Sequence, residues 1–242
     1  MMKIMCGMVA VCLCLAAERL VAAESIATSG ITEPYLDVTL AAPVPGLVKR
    51  RAFKEGDLVK KGDVIVELDK GLEELEVERR LSVMERNKTE LDATRVLVTT
   101  TKSVSKDELG KKEMDYRVSK AEHGIAVEEL ARRKVIAPFS GSIVELTLQV
   151  GAASAPYQPL ARLVDTSRCY FVGYVEGKNV SRLRMDEPVM VDVEGATGPV
   201  EARICFISPV IDPASGLAKV KALFENPKGN IRPGLAAKMT AH

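Results

Sequence analysis

The sequence predicts a mostly β fold with an inserted α-helical coiled-coil hairpin: one small β module cut in two by the hairpin, then a small β-barrel. Three observations predict it. Residues 42–69 and 137–165 repeat one pattern, a proline-free heptad-like stretch lies between them, and short β-like runs separated by turn signals fill the rest. In the repeat, Ala42-Pro43 matches Ala137-Pro138, Gly46 matches Gly141, Val48 matches Ile143, Phe53 matches Leu148 and Gly56 matches Gly151. Asp69 matches Asp165 after one extra residue in the second copy.

In chain order, residues 1–23 read as a secretory leader. Lys3 is a minimal basic start, residues 5–17 are apolar, and Val21-Ala22-Ala23 is a small-residue cleavage site, with cleavage after Ala23 or retention as an anchor. The apolar run is short of the roughly 20 residues a membrane span needs. Loss of Lys3, Glu18 and Arg19 with the leader takes a balance of 34 basic and 33 acidic groups to zero, which argues against nucleic-acid binding. Residues 24–41 form an extended lead-in expected to pair with a later strand. Residues 42–70 form the first half of the split module, its runs LVKRRAF, DLVKK and VIVEL separated by Gly46, Gly56 and Gly62. These glycines, with Gly141 and Gly151 of the second half (135–166), are expected at turns.

Residues 71–134 change period. Val77, Leu81, Met84, Leu91 and Val98 fall on alternating four- and three-residue steps, with Lys88 and Arg95 filling the remaining seam positions. The second helix takes Met114, Val118, Ala121 and Ile125 as its seam, weakened by Gly110 and Gly124. Ser105 suits an N-cap, with Glu108 three residues on completing a capping box. Each arm would reach roughly 40 Å. From residue 167 to 242 the pattern is β throughout, with runs such as CYFVGYVEG, PVMVDVEG and LAKVKALFEN, and it predicts the barrel. Cys169 and Cys205 sit in two of these runs and read as free buried thiols.

The segments PGLVKRRAFKEGDLVKKGDVIVELD, SKDEL, VIAPFSGSIVE, ISPVIDPASG and IRPGLAAKM, in that order, resemble those of the periplasmic adaptor subunits, or membrane fusion proteins, of the HlyD-like and RND-efflux type. The resemblance spans roughly residues 40–240 and makes the split module a lipoyl-like (barrel-sandwich hybrid) domain. It implies a periplasmic protein linking an inner-membrane RND or ABC transporter to an outer-membrane TolC-like channel, assembled as a homo-oligomeric ring, often of six, with no cofactor. Such adaptors often carry Arg, then Leu four residues later, then Ser seven after that. Here Ser105 fits the serine, Val98 takes the leucine position and Thr94 the arginine position, with Arg95 one residue away. The expected partner-binding tip is therefore Thr94, Arg95, Val98, Thr99, Lys102, Ser105 and Leu109. Val98→Asp is expected to abolish export and leave fold and abundance intact. The chain ends soon after Gly234, so the resemblance reads as a short form without a full membrane-proximal domain.

Three rivals are weaker. Lys70 in VELDK resembles the lysine of a lipoyl or biotinyl carrier, but some 65 residues separate the two half-modules that such a lysine should join directly. An enzyme lacks a nucleophile elbow or phosphate loop, and His123 reads as a surface residue of the second helix. Metal binding through Met114, Met185, Met190 and Met239 is disfavoured because they are scattered, and they read as core filling.

Overall fold

A computed structural model describes residues 25–100 and 105–241; the expected leader and Lys102 lie outside the described residues. Strand β1 (Ile26–Ala41) runs without interruption through two β units. In the first unit, β2 (Gly46–Arg51), β3 (Leu58–Val59) and β4 (Val64–Leu68) form the first half, and β5 (Lys134–Ile136), β6 (Gly141–Leu146), β7 (Ala153–Ser154) and the start of β8 (Pro159–Glu176) the second. Helices α1 (Gly71–Thr100) and α2 (Lys106–Ala131) leave from β4 and return to β5.

The repeat is a structural pseudo-twofold. Each half lends its short strand to the other: β2 pairs with β7 and β6 with β3. Hydrogen bonds repeat at equivalent residues. The Gly151 amide donates to Val48 O and the Gly56 amide to Ile143 O, both at 2.8 Å; Val48 N donates to Ala152 O and Ile143 N to Asp57 O. Val48, Ile143, Ile65, Leu68, Leu160 and Leu163 form one core between the halves. Neither half could bury this apolar surface alone, and each large side chain contributes about 1.5–3 kcal/mol on burial.

The repeated glycines serve two purposes. Gly56 and Gly151 have φ near +90° and open space around them, so they are turn residues in the left-handed region, as is Gly62. Gly46 and Gly141 are not turn residues; they begin strands where a side chain of their own would meet the Arg133 and Leu68 side chains at Gly46 and the β8 backbone at Gly141. A Cβ on Gly141 would lie 2.5 Å from Val164 O. Gly141→Ala should therefore cost about 3 kcal/mol of stability in denaturant titration. Gly198→Ala, with nothing near it and no positive φ, should cost almost nothing; equal midpoints for the two variants would refute the close-approach argument.

In the second unit β1, β12 (Ala236–Ala241), β9 (Pro188–Val193), β10 (Val200–Ile207), β11 (Leu217–Glu225) and β8 pair in that order, and β8 pairs back to β1, closing a six-stranded barrel. The lead-in is thus the strand that closes it. Alternation is plain in β9 and β11, whose Val189, Val191, Val193, Ala218, Val220, Ala222 and Phe224 point inward with Phe171 and Met239. A short helix α3 (Gly177–Val180) follows β8. Of the four methionines, only Met239 fills a core. Met190 falls on the outward phase of β9, and Met114 and Met185 are exposed, which corrects the expectation for those three. Cys169 and Cys205 are free, on strands separated by β11; Cys169 is buried but Cys205 only half-buried, which corrects the expectation for it, and desolvation raises the pKa of both thiols.

Candidate functional site

The helical pair is anchored at its base by charge. Arg133 bonds to Pro45 O and pairs with Glu73, and Lys70 is held at 2.9 Å by both Glu67 and Glu74. Hydrogen bonds that Lys70 donates to Glu74 and then to Glu67 raise its pKa, so its ammonium is held between two carboxylates at the start of α1.

Outward from the base the helices run antiparallel. Arg80 pairs with Glu122, Lys112 with Glu90 at 2.6 Å, and Arg95 with Glu113 at 3.2 Å, while Asn87 Nδ2 donates to Asp115 O. Burial follows a four-three rhythm, with Glu73, Glu76, Leu81 and Val83 of α1 and Gly110, Glu113 and Glu122 of α2 half-buried beside it. On α1 it runs through Val77, Arg80, Met84, Asn87, Leu91, Thr94 and Val98, and on α2 through Leu109, Lys112, Tyr116, Ser119, His123, Ala126 and Leu130. Only Leu91, Ser119 and Ala126 are fully buried.

Two expectations are corrected by this rhythm. Lys88 and Arg95 are exposed, and Asn87 and Thr94 take their places in the seam. On α2 the expected seam of Met114, Val118, Ala121 and Ile125 faces away from α1, with Met114 53%, Val118 52% and Ile125 59% exposed. That set trails the true seam by two residues, or about 200° of helix rotation, which is the opposite face. The cross-helix ion pairs set the rotation, and the small Ser119 and Ala126 let the helices approach.

At the outer end, Thr94, Val98 and Leu109 are half-buried on the seam. Arg95, Thr99 and Ser105 are exposed. Thr99 Oγ1 donates back to Arg95 O at 2.9 Å, and Ser105 Oγ accepts from the Glu108 amide at 3.1 Å as the N-cap of α2. Capping alone accounts for a serine at 105. Two residues escaped the sequence reading. Val96 is 57% exposed and Leu97 43%, just before Val98. The signal was the RVLV run, which carries three apolar residues where one seam position can take a single one.

Arg79 and then Arg80 hydrogen-bond Glu76 and hold its pKa at about 2, and Lys112 lowers that of Glu90. Both folded pKa values lie below the unfolded ones. Glu76 bonds only within α1, while Glu90 reaches Lys112 on α2. The contribution of the first to the helix and of the second to the pairing is therefore present above the ordinary value of 4.5 and is lost as pH falls below it, toward 2 for Glu76. Helical circular dichroism should stay level from neutral pH to about 4.5 and decline below it; a decline confined to neutral pH would contradict the assignment. Among the described residues no group of three or more His, Cys, Asp or Glu is placed to hold a metal, and no helix is long and apolar enough to cross a membrane.

A family profile described as the RND MFP barrel-sandwich hybrid domain matches residues 37–166, more than half of the chain. The chain is 25% identical over 227 residues to the multidrug resistance protein MexA of Pseudomonas aeruginosa, covering 85% of this chain and 58% of MexA. It is 26% identical over 236 residues to the efflux pump periplasmic linker BepF of Brucella suis, covering 88% and 57%. An uncharacterised Haemophilus influenzae protein is 26% identical over 209 residues, covering 85% and 54%. The chain thus spans little more than half the length of these relatives. Its fold is similar to that of a MacA–MexA chimera carrying the Pseudomonas aeruginosa MexA α-hairpin domain, with a TM-score of 0.79 at 19% identity, covering 90% of this chain and 78% of the chimera. It is also similar to MacA from Actinobacillus actinomycetemcomitans, with a TM-score of 0.61 at 17% identity, covering 90% and 78%.

Proposed function

The chain belongs to the family of RND membrane fusion proteins, and from that membership we propose that it is a periplasmic adaptor bridging an inner-membrane RND pump to an outer-membrane TolC-like channel. The observation that carries the proposal is the helical pair. It is tied to the β module at its base, held together by a narrow seam and surface ion pairs, and exposes Val96 and Leu97 about one turn before the end of α1. A long paired projection with exposed apolar side chains near its outer end is suited to entering a groove between helices of another protein. Thr94, Arg95, Val98, Thr99, Lys102, Ser105 and Leu109 are the proposed channel-facing set, with Val96 and Leu97 added.

The outward stripe of α2 supports self-assembly. Met114, Val118, Ala121 and Ile125 repeat at heptad spacing, as a second helix-packing seam would. Leu72 and Leu75 are exposed on α1, so each pair offers two different flanks. Different flanks packed head to tail close into a ring, for which six copies is the proposed number. Its role is mechanical: sealing the conduit and bridging its components, with no reaction catalysed. The carrier reading finds no support, because Lys70 is bound between two carboxylates where α1 starts.

Deletion of the gene should sensitise cells to the compounds the pump removes, and the tagged chain should retain an RND transporter on purification. Unchanged sensitivity together with no retained transporter would refute the proposal.

A further inference from the structure

The two halves of the split module differ at one turn. Residues 60–63 and 155–158 are equivalent turns and make equivalent bonds. The Gly62 amide donates to Ala137 O at 2.9 Å and the Tyr157 amide to Ala42 O at 2.8 Å. Lys60 N donates to Asp63 Oδ2 and Ala155 N to Gln158 Oε1, both at 2.9 Å. Gly62 and Tyr157 both take positive φ, +95° and +60°. Glycine adopts that conformation freely, whereas a tyrosine is strained in it. The Tyr157 side chain is 76% exposed, so burial within its own chain does not offset the strain. The first turn is charged at Lys60, Lys61 and Asp63, and the second has Ala155, Pro156 and Gln158 at those positions. Loss of charge around an exposed tyrosine is the composition of a contact surface.

A second locally unfavourable residue lies at the same level. Gly124 stands inside α2 with no atom within 4 Å of where a Cβ would be, so a side chain would fit there and a glycine only weakens the helix. The missing side chain leaves a groove of about 530 Å³ lined by Ala121, Gly124, Ile125, Glu128, Glu129 and Arg132. The groove continues the outward stripe of α2 toward the base, because Glu128 and Arg132 keep the four-three spacing of Met114, Val118, Ala121 and Ile125. Arg80 pairs with Glu122, so residues 124–132 lie beside the start of α1, where the helices leave the split module. The Tyr157 turn is on that side of the module: Ser154 pairs with Gly46, and Pro45 O accepts from Arg133, the second residue after α2.

We infer that Tyr157 of one copy seats in the Gly124 groove of the next. The inference rests on the ring reading given under the proposed function. Copies in a closed ring are related by rotation about one axis, so each contact joins equal levels, and the tyrosine and the groove stand at one level. Their chemistry is complementary. Exposed Arg132 at the rim supplies a cation for the face of the ring, and Ile125 supplies apolar surface. The exposed carboxylates of Glu128 and Glu129 supply acceptors for the phenol hydroxyl. A tyrosine where glycine suits the turn and a glycine where a side chain suits the helix both weaken the single chain, and both serve a contact between two copies.

The test measures self-association of the full chain by sedimentation velocity over a range of concentrations, and denaturant unfolding of the dilute monomer. Tyr157→Gly copies the equivalent turn and Gly124→Leu restores a good helix former, so each should raise the unfolding midpoint. Each should also weaken self-association about tenfold. A photoreactive residue at position 157 should give an adduct between two copies that maps to residues 121–132. Raised midpoints with self-association unchanged would overturn the contact and leave the ring standing. A midpoint that falls in Tyr157→Gly would show that the side chain serves its own fold, which also overturns the contact. An unaltered chain that stays monomeric at every concentration would refute the ring reading and the contact with it.

Discussion

Val96→Asp is expected to reduce export at least tenfold while leaving the amount of protein and its helical signal unchanged. Val96 is exposed on the last turns of α1 and takes no part in the seam, so a carboxylate there costs the folded monomer little, about 1 kcal/mol at most from helix propensity and the dipole. In a complex the same carboxylate would be driven into an apolar groove. Burying an unpaired charge costs far more than the one to two kcal/mol that a valine contact contributes, roughly several kcal/mol, which is enough to break a docking contact. Val98→Asp should abolish export as well. Val98 is half-buried on the helix seam, however, so its carboxylate also loosens the end of the pair and the two causes mix. Val96 separates them. Full export by Val96→Asp, assayed as intracellular accumulation of a pump substrate, would remove the outer end of the helices from the contact.

The second large effect is on assembly. Val118→Asp combined with Ile125→Asp should convert a ring to monomers in sedimentation velocity, with the helical signal retained. Both side chains face away from α1, so the folded monomer has little use for them. A ring would bury them at every interface, and two carboxylates per interface would oppose closure several times over. Met84→Asp is the contrast, because it lies half-buried on the α1 seam and should loosen the helical pair itself. An unchanged sedimentation coefficient for the Val118/Ile125 pair would show that the stripe is not an assembly surface.

What the sequence disclosed depended on whether the signal was local. The repeat gave the split module because equivalent residues, such as Val48 and Ile143, make equivalent bonds. The barrel strands were legible from alternation in PVMVDV and LAKVKALF, where period-two burial is a property of the strand itself. The α2 seam was misread because two faces of that helix share heptad spacing. The faces are told apart by Arg80–Glu122, Glu90–Lys112 and Arg95–Glu113, pairs between residues far apart in sequence. Gly46 and Gly141 were taken as turn residues because a glycine needed for close approach looks the same in sequence as one needed for positive φ. At the candidate site, the seam position of Val98 and the cap at Ser105 could be read from spacing, whereas that of Leu109 could not, because heptad spacing points to the opposite face of α2. The exposure of Val96 and Leu97 could not, since it depends on which way α1 is rotated against α2.

The most direct measurement of the central claim is photocrosslinking in living cells from position 99, exposed at the outer end of α1, followed by identification of the captured protein. The adaptor account predicts an outer-membrane channel subunit, with capture abolished by Val96→Asp. Capture of inner-membrane or soluble periplasmic proteins alone, with no channel, would contradict it.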